Sequence, residues 1–208
     1  MRLLIAGAGG HGRVVADAAE GWPELWSEIA FLDDRYPQLT RSGAWPVVGS
    51  FAQLAPQRAN FEACVAALGD ASLRLAVLEQ CQQAGFEVPV IAHRQAMLSR
   101  HASVGSGTFI AAGAVVCVGS QIGMGCIINT GATVDHDGHL GAGVHVCPGA
   151  HLAGSVKVGA RTWFGIGAVA REGVRIGSDV TVGAGAVCLE DVRDGVVVAG
   201  VPAREKNS

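Results

Sequence analysis

Three adjacent polar residues, Asp135-His136-Asp137, interrupt a stretch otherwise dominated by glycine and aliphatic side chains. A histidine flanked by carboxylates suits proton transfer. The carboxylate supports the imidazolium and lifts its pKa, so the neutral ring can take a proton from an attacking nucleophile near neutral pH. Asn129-Thr130 lies just upstream, with an amide that can contact a polar ligand or cap a turn. Asp137 has a second role open to it. It occupies a column otherwise held mainly by glycine, and Asp tolerates left-handed backbone.

Another chemical signal opens the chain. Gly7, Gly9 and Gly12 match G-x-G-x-x-G, and Asp33-Asp34 follows about twenty residues later. Such a loop aims backbone amides and a helix N-terminus at phosphate. The segment suits a mononucleotide or nucleotide sugar better than a dinucleotide, because only three or four strands can be counted around it. Asp33 and Asp34 are candidates to bind a base or ribose, or simply end a strand.

Two kinds of element position these residues. From Leu98 to Cys188 every sixth residue is apolar, sixteen positions in all, and glycine dominates three residues after each. A period of six fits neither an α-helix nor a plain strand. It fits a short strand followed by a sharp corner, repeated as a parallel β-helix, with glycine where φ must be positive. Residues 1–93 alternate strand and helix instead: strands at Arg2–Ala6, Ile29–Leu32, Phe61–Leu68 and Phe86–Ile91, helices at Arg13–Glu20 and Ser72–Ala84. That order predicts a small Rossmann-like α/β domain, with the β-helix occupying 94–208.

The combination resembles the hexapeptide-repeat acyltransferases, whose fold is a left-handed β-helix with three faces per coil. The opening GAGGHG, the FLDD that follows and the closing Gly200-Val201-Pro202-Ala203 narrow the resemblance to bacterial nucleotide-sugar N-acetyltransferases. It is nearest to those that acetylate the 4-amino group of a UDP-4-amino-4,6-dideoxy-N-acetylglucosamine on the way to UDP-diacetylbacillosamine, a protein-glycosylation precursor. GDP-perosamine N-acetyltransferases and sialic-acid O-acetyltransferases share the arrangement. The resemblance implies acetyl-CoA as cosubstrate, direct attack without a covalent intermediate, and no metal. It makes His136 the general base and Asp137 its support, where some relatives carry Glu. It places Gly9, Gly10, His11, Asp33, Asp34, Gly69 and Ser72 around the nucleotide, Ser72 replacing a longer polar residue, with Asn129 near the sugar. His145, Gly154, Ile166 and Ala184 line the acetyl-CoA path, Ala184 standing where relatives tend to have glycine.

At eighteen residues per coil, Gly154 stacks on His136 and is expected to leave a gap for the thioester. His145 lies half a coil away, across the prism. The two can share a site only between subunits, so the expectation is a cyclic homotrimer with interfacial active sites. His139, His145 and His151, six apart, fall on different faces and cannot chelate one metal within a chain.

Two other functions compete. A zinc hydrolyase of the carbonic-anhydrase type uses the same β-helix, but leaves the first domain without a purpose. An NAD-dependent oxidoreductase rests on the glycine loop alone. A net charge of −3 with 16% charged residues argues against nucleic acid. No apolar run has the length of a membrane span, and no signal-peptide cleavage pattern is present, so a cytoplasmic protein without membrane insertion is expected. The six cysteines form no C-x-x-C pair and are expected to be free, mostly buried thiols.

Overall fold

The computed structural model describes residues 1–206. They form two compact units, Met1–Arg94 and a second beginning at Gln95.

In the first unit, β1 (Arg2–Ala6), α1 (Gly10–Glu20), β2 (Glu28–Leu32), β3 (Arg41–Ser42), β4 (Trp45–Gly49), β5 (Ala63–Ala66) and α2 (Ala71–Gln83) follow one another. The sheet order is β3-β4-β2-β1-β5. β1 pairs in parallel with both β2 and β5, β4 continues the parallel sheet beyond β2, and β3 closes its edge antiparallel. Leu3, Leu4 and Ile5 of β1 are fully buried, as a central strand covered on both faces requires. The chain leaves β1 through α1 to β2 on one side, and after β4 it crosses back to place β5 on the other side of β1. This is a topological switch point, and the crevice for a ligand lies at the carboxyl ends of β1 and β5.

Two details differ from the sequence reading. The expected strand at Phe86–Ile91 is absent. Only Glu87 bridges to Ala63, and a two-residue strand appears at Ile91–Ala92. Pro89 removes an amide donor from the middle of that run. Conversely β4 is a true sheet strand although Pro46 lies within it, because Pro46 faces only the short edge hairpin.

The second unit is a parallel β-helix. Sixteen two-residue strands run from Met97–Leu98 to Val187–Cys188 at six-residue intervals. The first thirteen each pair with the strand eighteen residues on, as Thr133–Val134 does with His151–Leu152, so the strands sort into three sheets, one per face. The anchors from Ile110 to Cys188 are all buried. Leu98 and Val104 belong to the first coil, which has a neighbouring coil on one side only. Every sixth residue from Gly107 to Gly185 has positive φ, ten of them glycines and four not: Asp137, Ser155, Arg161 and Asp179. Arg161 and Asp179 stack one coil apart and form a two-point ion pair at 2.6 and 2.7 Å. All six cysteines are free, and Cys117 is the one not fully buried.

Candidate active site

The Asp135-His136-Asp137 corner lies between strands Thr133–Val134 and His139–Leu140. Asp137 takes a left-handed conformation, φ 58°. Its carboxylate meets the preceding ring, with Oδ2 3.0 Å from His136 Nδ1. Asp135 Oδ1 accepts from the His136 amide at 2.7 Å and fixes the backbone below the ring. The two roles open to Asp137 therefore coincide: the corner geometry is what turns its side chain to the imidazole. The Asp137 hydrogen bond raises the His136 pKa above the ordinary histidine value; slight desolvation opposes this and the Asp135 and Asp137 charges add to it. With Nδ1–H donated to Asp137, Nε2 carries the lone pair.

Glycines on the adjoining coils make room for the pair. A Cβ on Gly119 would overlap the Asp137 carboxylate, and a Cβ on Gly154 would sit 2.5 Å from His136 Cε1. The gap expected at Gly154 for a thioester is thus taken by the imidazole itself. The side chain is longer than the spacing between coils, about 4.8 Å, and folds over its neighbour.

A second polar cluster lies on another face. Asn129 Nδ2 is 3.1 Å from His145 Nε2, and the His145 ring packs edge-on against Trp163 at 4.2 Å between centroids. His145 is 8% exposed. Asn129 Oδ1 accepts from the Thr130 amide at 2.9 Å, which orients the amide group towards the histidine. His145 belongs to the sheet of Ile127 and Trp163, whereas His136 adjoins the sheet of Thr133 and His151. Ile166 and Ala184 stack one coil apart at the corner following the His145 sheet, and both are exposed. Within one chain the structure therefore groups His136, Asp137 and Gly154 at one edge of the prism. Asn129, His145, Ile166 and Ala184 gather at another. The two groups flank the Thr133–His151 face and are not brought together. Among the described residues, no group of three or more His, Cys, Asp and Glu side chains is placed to hold a metal.

In the first unit each glycine has a distinct task. Gly7 has φ 111° and a Cβ there would lie 2.8 Å from Ala67 O; a Cβ on Gly12 would overlap Gly7 O. These two permit the tight turn and the close strand–helix contact. Gly9, Gly10 and Gly69 face open space. Helix α1 begins at Gly10 and has no side-chain cap, leaving its first-turn amides for a ligand. Ser72 is exposed in the first turn of α2, whose Leu73 amide is capped by Asp70 at 2.7 Å. Burial and then the charge of Arg74 push the His11 pKa down to about 4, so its ring is neutral at pH 7.

The two aspartates have internal partners. Asp33 Oδ2 accepts from the Ala8 amide at 3.0 Å, and Arg35 grips both carboxylate oxygens at 2.7 and 2.9 Å. Chiefly through Arg35, the Asp33 pKa falls to about 2. Asp34 Oδ1 accepts from the Phe51 amide at 3.0 Å. Asp33 thus holds the glycine loop in shape. Arg74, 1% exposed, escaped the sequence reading. Its guanidinium donates to Leu68 O at 2.6 Å and Gly69 O at 3.0 Å, shaping the loop opposite the glycine turn. The signal was there: Arg74 occupies the buried stripe of α2 with Val77, Leu78 and Cys81.

Comparison with known proteins agrees with both halves. Residues 2–81 match the family described as the PglD N-terminal domain. The acetyltransferase domain of PglB from Neisseria gonorrhoeae, solved in complex with acetyl coenzyme A, is 41% identical, with TM-score 0.95 over 99% of this chain and 98% of that one. PerB from Caulobacter crescentus, solved with CoA and GDP-perosamine, is 36% identical, with TM-score 0.94 over 100% and 98%. WeeI from Acinetobacter baumannii is 25% identical, with TM-score 0.83 over 99% and 100%. A search of curated protein sequences returned no match. No helix among the described residues is long and apolar enough to cross a membrane. With such identity over almost the full length of both chains, this protein belongs to the hexapeptide-repeat nucleotide-sugar acetyltransferases, acetyl-CoA-dependent enzymes that join a Rossmann-like domain to a left-handed β-helix.

Proposed function

We propose that the protein transfers the acetyl group of acetyl-CoA to the 4-amino group of a UDP-4-amino-4,6-dideoxy-N-acetyl-hexosamine, acting in the cytoplasm. The observation that carries the chemistry is the His136–Asp137 pair at 3.0 Å, with Nε2 left as the free base. The amine nitrogen attacks the thioester carbonyl while His136 Nε2 takes its proton. The tetrahedral intermediate collapses, the carbon–sulfur bond breaks, and the imidazolium returns the proton to the CoA thiolate. Asp137 stabilises the transient imidazolium throughout. Open glycine backbone at Gly9, Gly10 and Gly69 supports nucleotide binding by the first unit. The resemblance carried by GAGGHG and FLDD favours a UDP-sugar, and the likeness to PerB, solved with GDP-perosamine, makes a GDP-4-amino sugar the second reading.

The working unit in this reading is a homotrimer. The outward column of the face between the two half-sites is apolar at four of its six positions, Met97, Val115, Val169 and Val187, while Thr133 and His151 between them bond to each other at 3.0 Å; Val118 is 53% and Ile166 62% exposed at its edges. A band of that kind suits burial against copies of itself. Packing there brings the His136 corner of one chain towards Asn129 and His145 of the next. The substrate is tested by thiol release from acetyl-CoA against a panel of UDP- and GDP-amino sugars. Turnover with a UDP-4-amino sugar well above every GDP-sugar is expected; preference for a GDP-sugar overturns the assignment.

A further inference from the structure

Cys64 and Cys81 meet inside the first unit. Cys64 lies on β5 and Cys81 near the end of α2, and both are 0% exposed. Their sulfurs are 3.0 Å apart. A disulfide holds its sulfurs at about 2.05 Å, so an approach of about 1 Å, within reach of small side-chain rotations, separates the two thiols from a bond. Acetyl transfer at the His136 corner gives neither thiol a task. The pair instead spans the loop that shapes the nucleotide crevice. β5 ends at Ala66, and residues 67–70 lead directly into α2. Arg74 of α2 donates to Leu68 O and Gly69 O at 2.6 and 3.0 Å. A bond between Cys64 and Cys81, seventeen residues apart in the chain, would tie strand to helix and hold Arg74 against those carbonyls.

One short segment guards both sulfurs. β5 is an edge strand of its sheet, and the turn after α2 covers that edge. The Cys64 amide donates to Glu87 O at 2.9 Å, the Glu87 amide to Glu62 O at 3.0 Å and the Phe86 amide to Cys81 O at 3.0 Å. Gln82, Gln83, Gly85 and Glu87 are exposed, and Gly85 has positive φ. Outward movement of residues 82–87 breaks these bonds and uncovers both thiols together, while the rest of the sheet stays folded. In the closed state the neighbouring thiol, and then burial, hold the Cys64 pKa well above the ordinary thiol value, so Cys64 stays protonated and unreactive.

We propose that Cys64 and Cys81 form an oxidant-responsive staple: a low-molecular-weight disulfide, such as glutathione disulfide, converts the two thiols into a bond that locks α2 to β5 and stiffens the loop between them. In the opened state the Cys81 thiolate attacks the small disulfide and expels one small thiolate. The Cys64 thiolate then attacks the Cys81 sulfur of the mixed disulfide and expels the second. The two protein thiols give up two protons and two electrons, and one small disulfide becomes two thiols. In a reducing compartment the pair rests as thiols, and oxidising conditions close it. The test is incubation of the full chain with glutathione disulfide in sub-denaturing urea, followed by removal of urea, mass mapping of unreduced peptides, thermal unfolding and amide exchange. A Cys64–Cys81 link is expected, with a Tm higher by about 5 °C or more and roughly tenfold slower exchange across residues 67–74, all reversed by dithiothreitol. Cys64→Ala and Cys81→Ala should show neither change under the same treatment. Glutathione on Cys117, the cysteine that is not fully buried, reports that the oxidant was active. Glutathionylated Cys117 without a Cys64–Cys81 link overturns the proposal. So does a link that leaves Tm and exchange unchanged, or an equal rise in Tm in Cys64→Ala.

Discussion

Gly154 is the position where the smallest change should do the most damage. Its backbone does not have positive φ, so alanine is conformationally tolerated there. The new Cβ would nonetheless sit 2.5 Å from His136 Cε1, with Nε2 and Cδ2 also in conflict. Carbon atoms need about 3.5 Å, so the ring must move by about 1 Å. The imidazole is at the surface and can swing outward, but doing so lengthens its 3.0 Å contact with Asp137. A displacement of about 1 Å at a reacting group costs roughly a hundredfold in rate, or about 2.7 kcal/mol of transition-state free energy. Because the ring escapes into solvent, stability should change little. The assay is thiol release from acetyl-CoA with the preferred amino sugar, across pH, beside thermal unfolding. Gly154→Ala is expected to lower kcat about a hundredfold and to shift the ascending pH limb downward as the ring loses Asp137. Wild-type turnover with an unmoved pH limb refutes the reasoning.

Other expectations follow from the same geometry. Asp137→Gly restores the residue type favoured at a left-handed corner, so Tm should hold or rise. Activity should fall at least tenfold, and the ascending limb of kcat/KM should move to lower pH because the raised His136 pKa is released. Asp33→Asn removes charge from the acceptor of the Ala8 amide and from the Arg35 clamp. A loss of about 1–3 kcal/mol in stability and weaker UDP binding are expected, read by denaturant titration and a UDP-dependent Tm shift. The Asp33 pKa of about 2 lies below that of an unfolded aspartate, so its contribution is present above about pH 4 and fades as pH falls towards 2. Val169→Glu puts a charge into the apolar face and should yield inactive monomers by light scattering; an active monomer contradicts the shared site.

The β-helix was legible because its interior is one-dimensional. A narrow prism accepts one large side chain per face per coil, so Ile110, Val116 and Ile122 repeat at a strict interval and no distant element alters the rule. Corners were legible for the same reason, down to the position where Asp137 replaces glycine. The first unit was harder. Strand β4 is hidden by Pro46, while Phe86–Ile91 mimics a strand that Pro89 forbids. FLDD ends a strand, which made the aspartates candidates for ligand contact. What the letters do not contain is their internal partners: the Ala8 amide and Arg35 for Asp33, and the Phe51 amide for one oxygen of Asp34. The Asn129–His145 pair is sixteen residues apart, off the eighteen-residue register, and emerges only once both side chains lean across the same face. The occupancy of the Gly154 space by His136 follows from side-chain reach, which a column of letters does not contain.

The central claim is that His136 is the base in acetyl transfer from acetyl-CoA to a nucleotide-linked amine. Its most direct test is the turnover of His136→Ala, measured together with its affinity for the UDP-amino sugar. The account predicts loss of at least a hundredfold in kcat with sugar-nucleotide binding retained, because nucleotide binding is proposed for the glycine loop of the first unit and His136 belongs to the second. Full turnover in His136→Ala would contradict it.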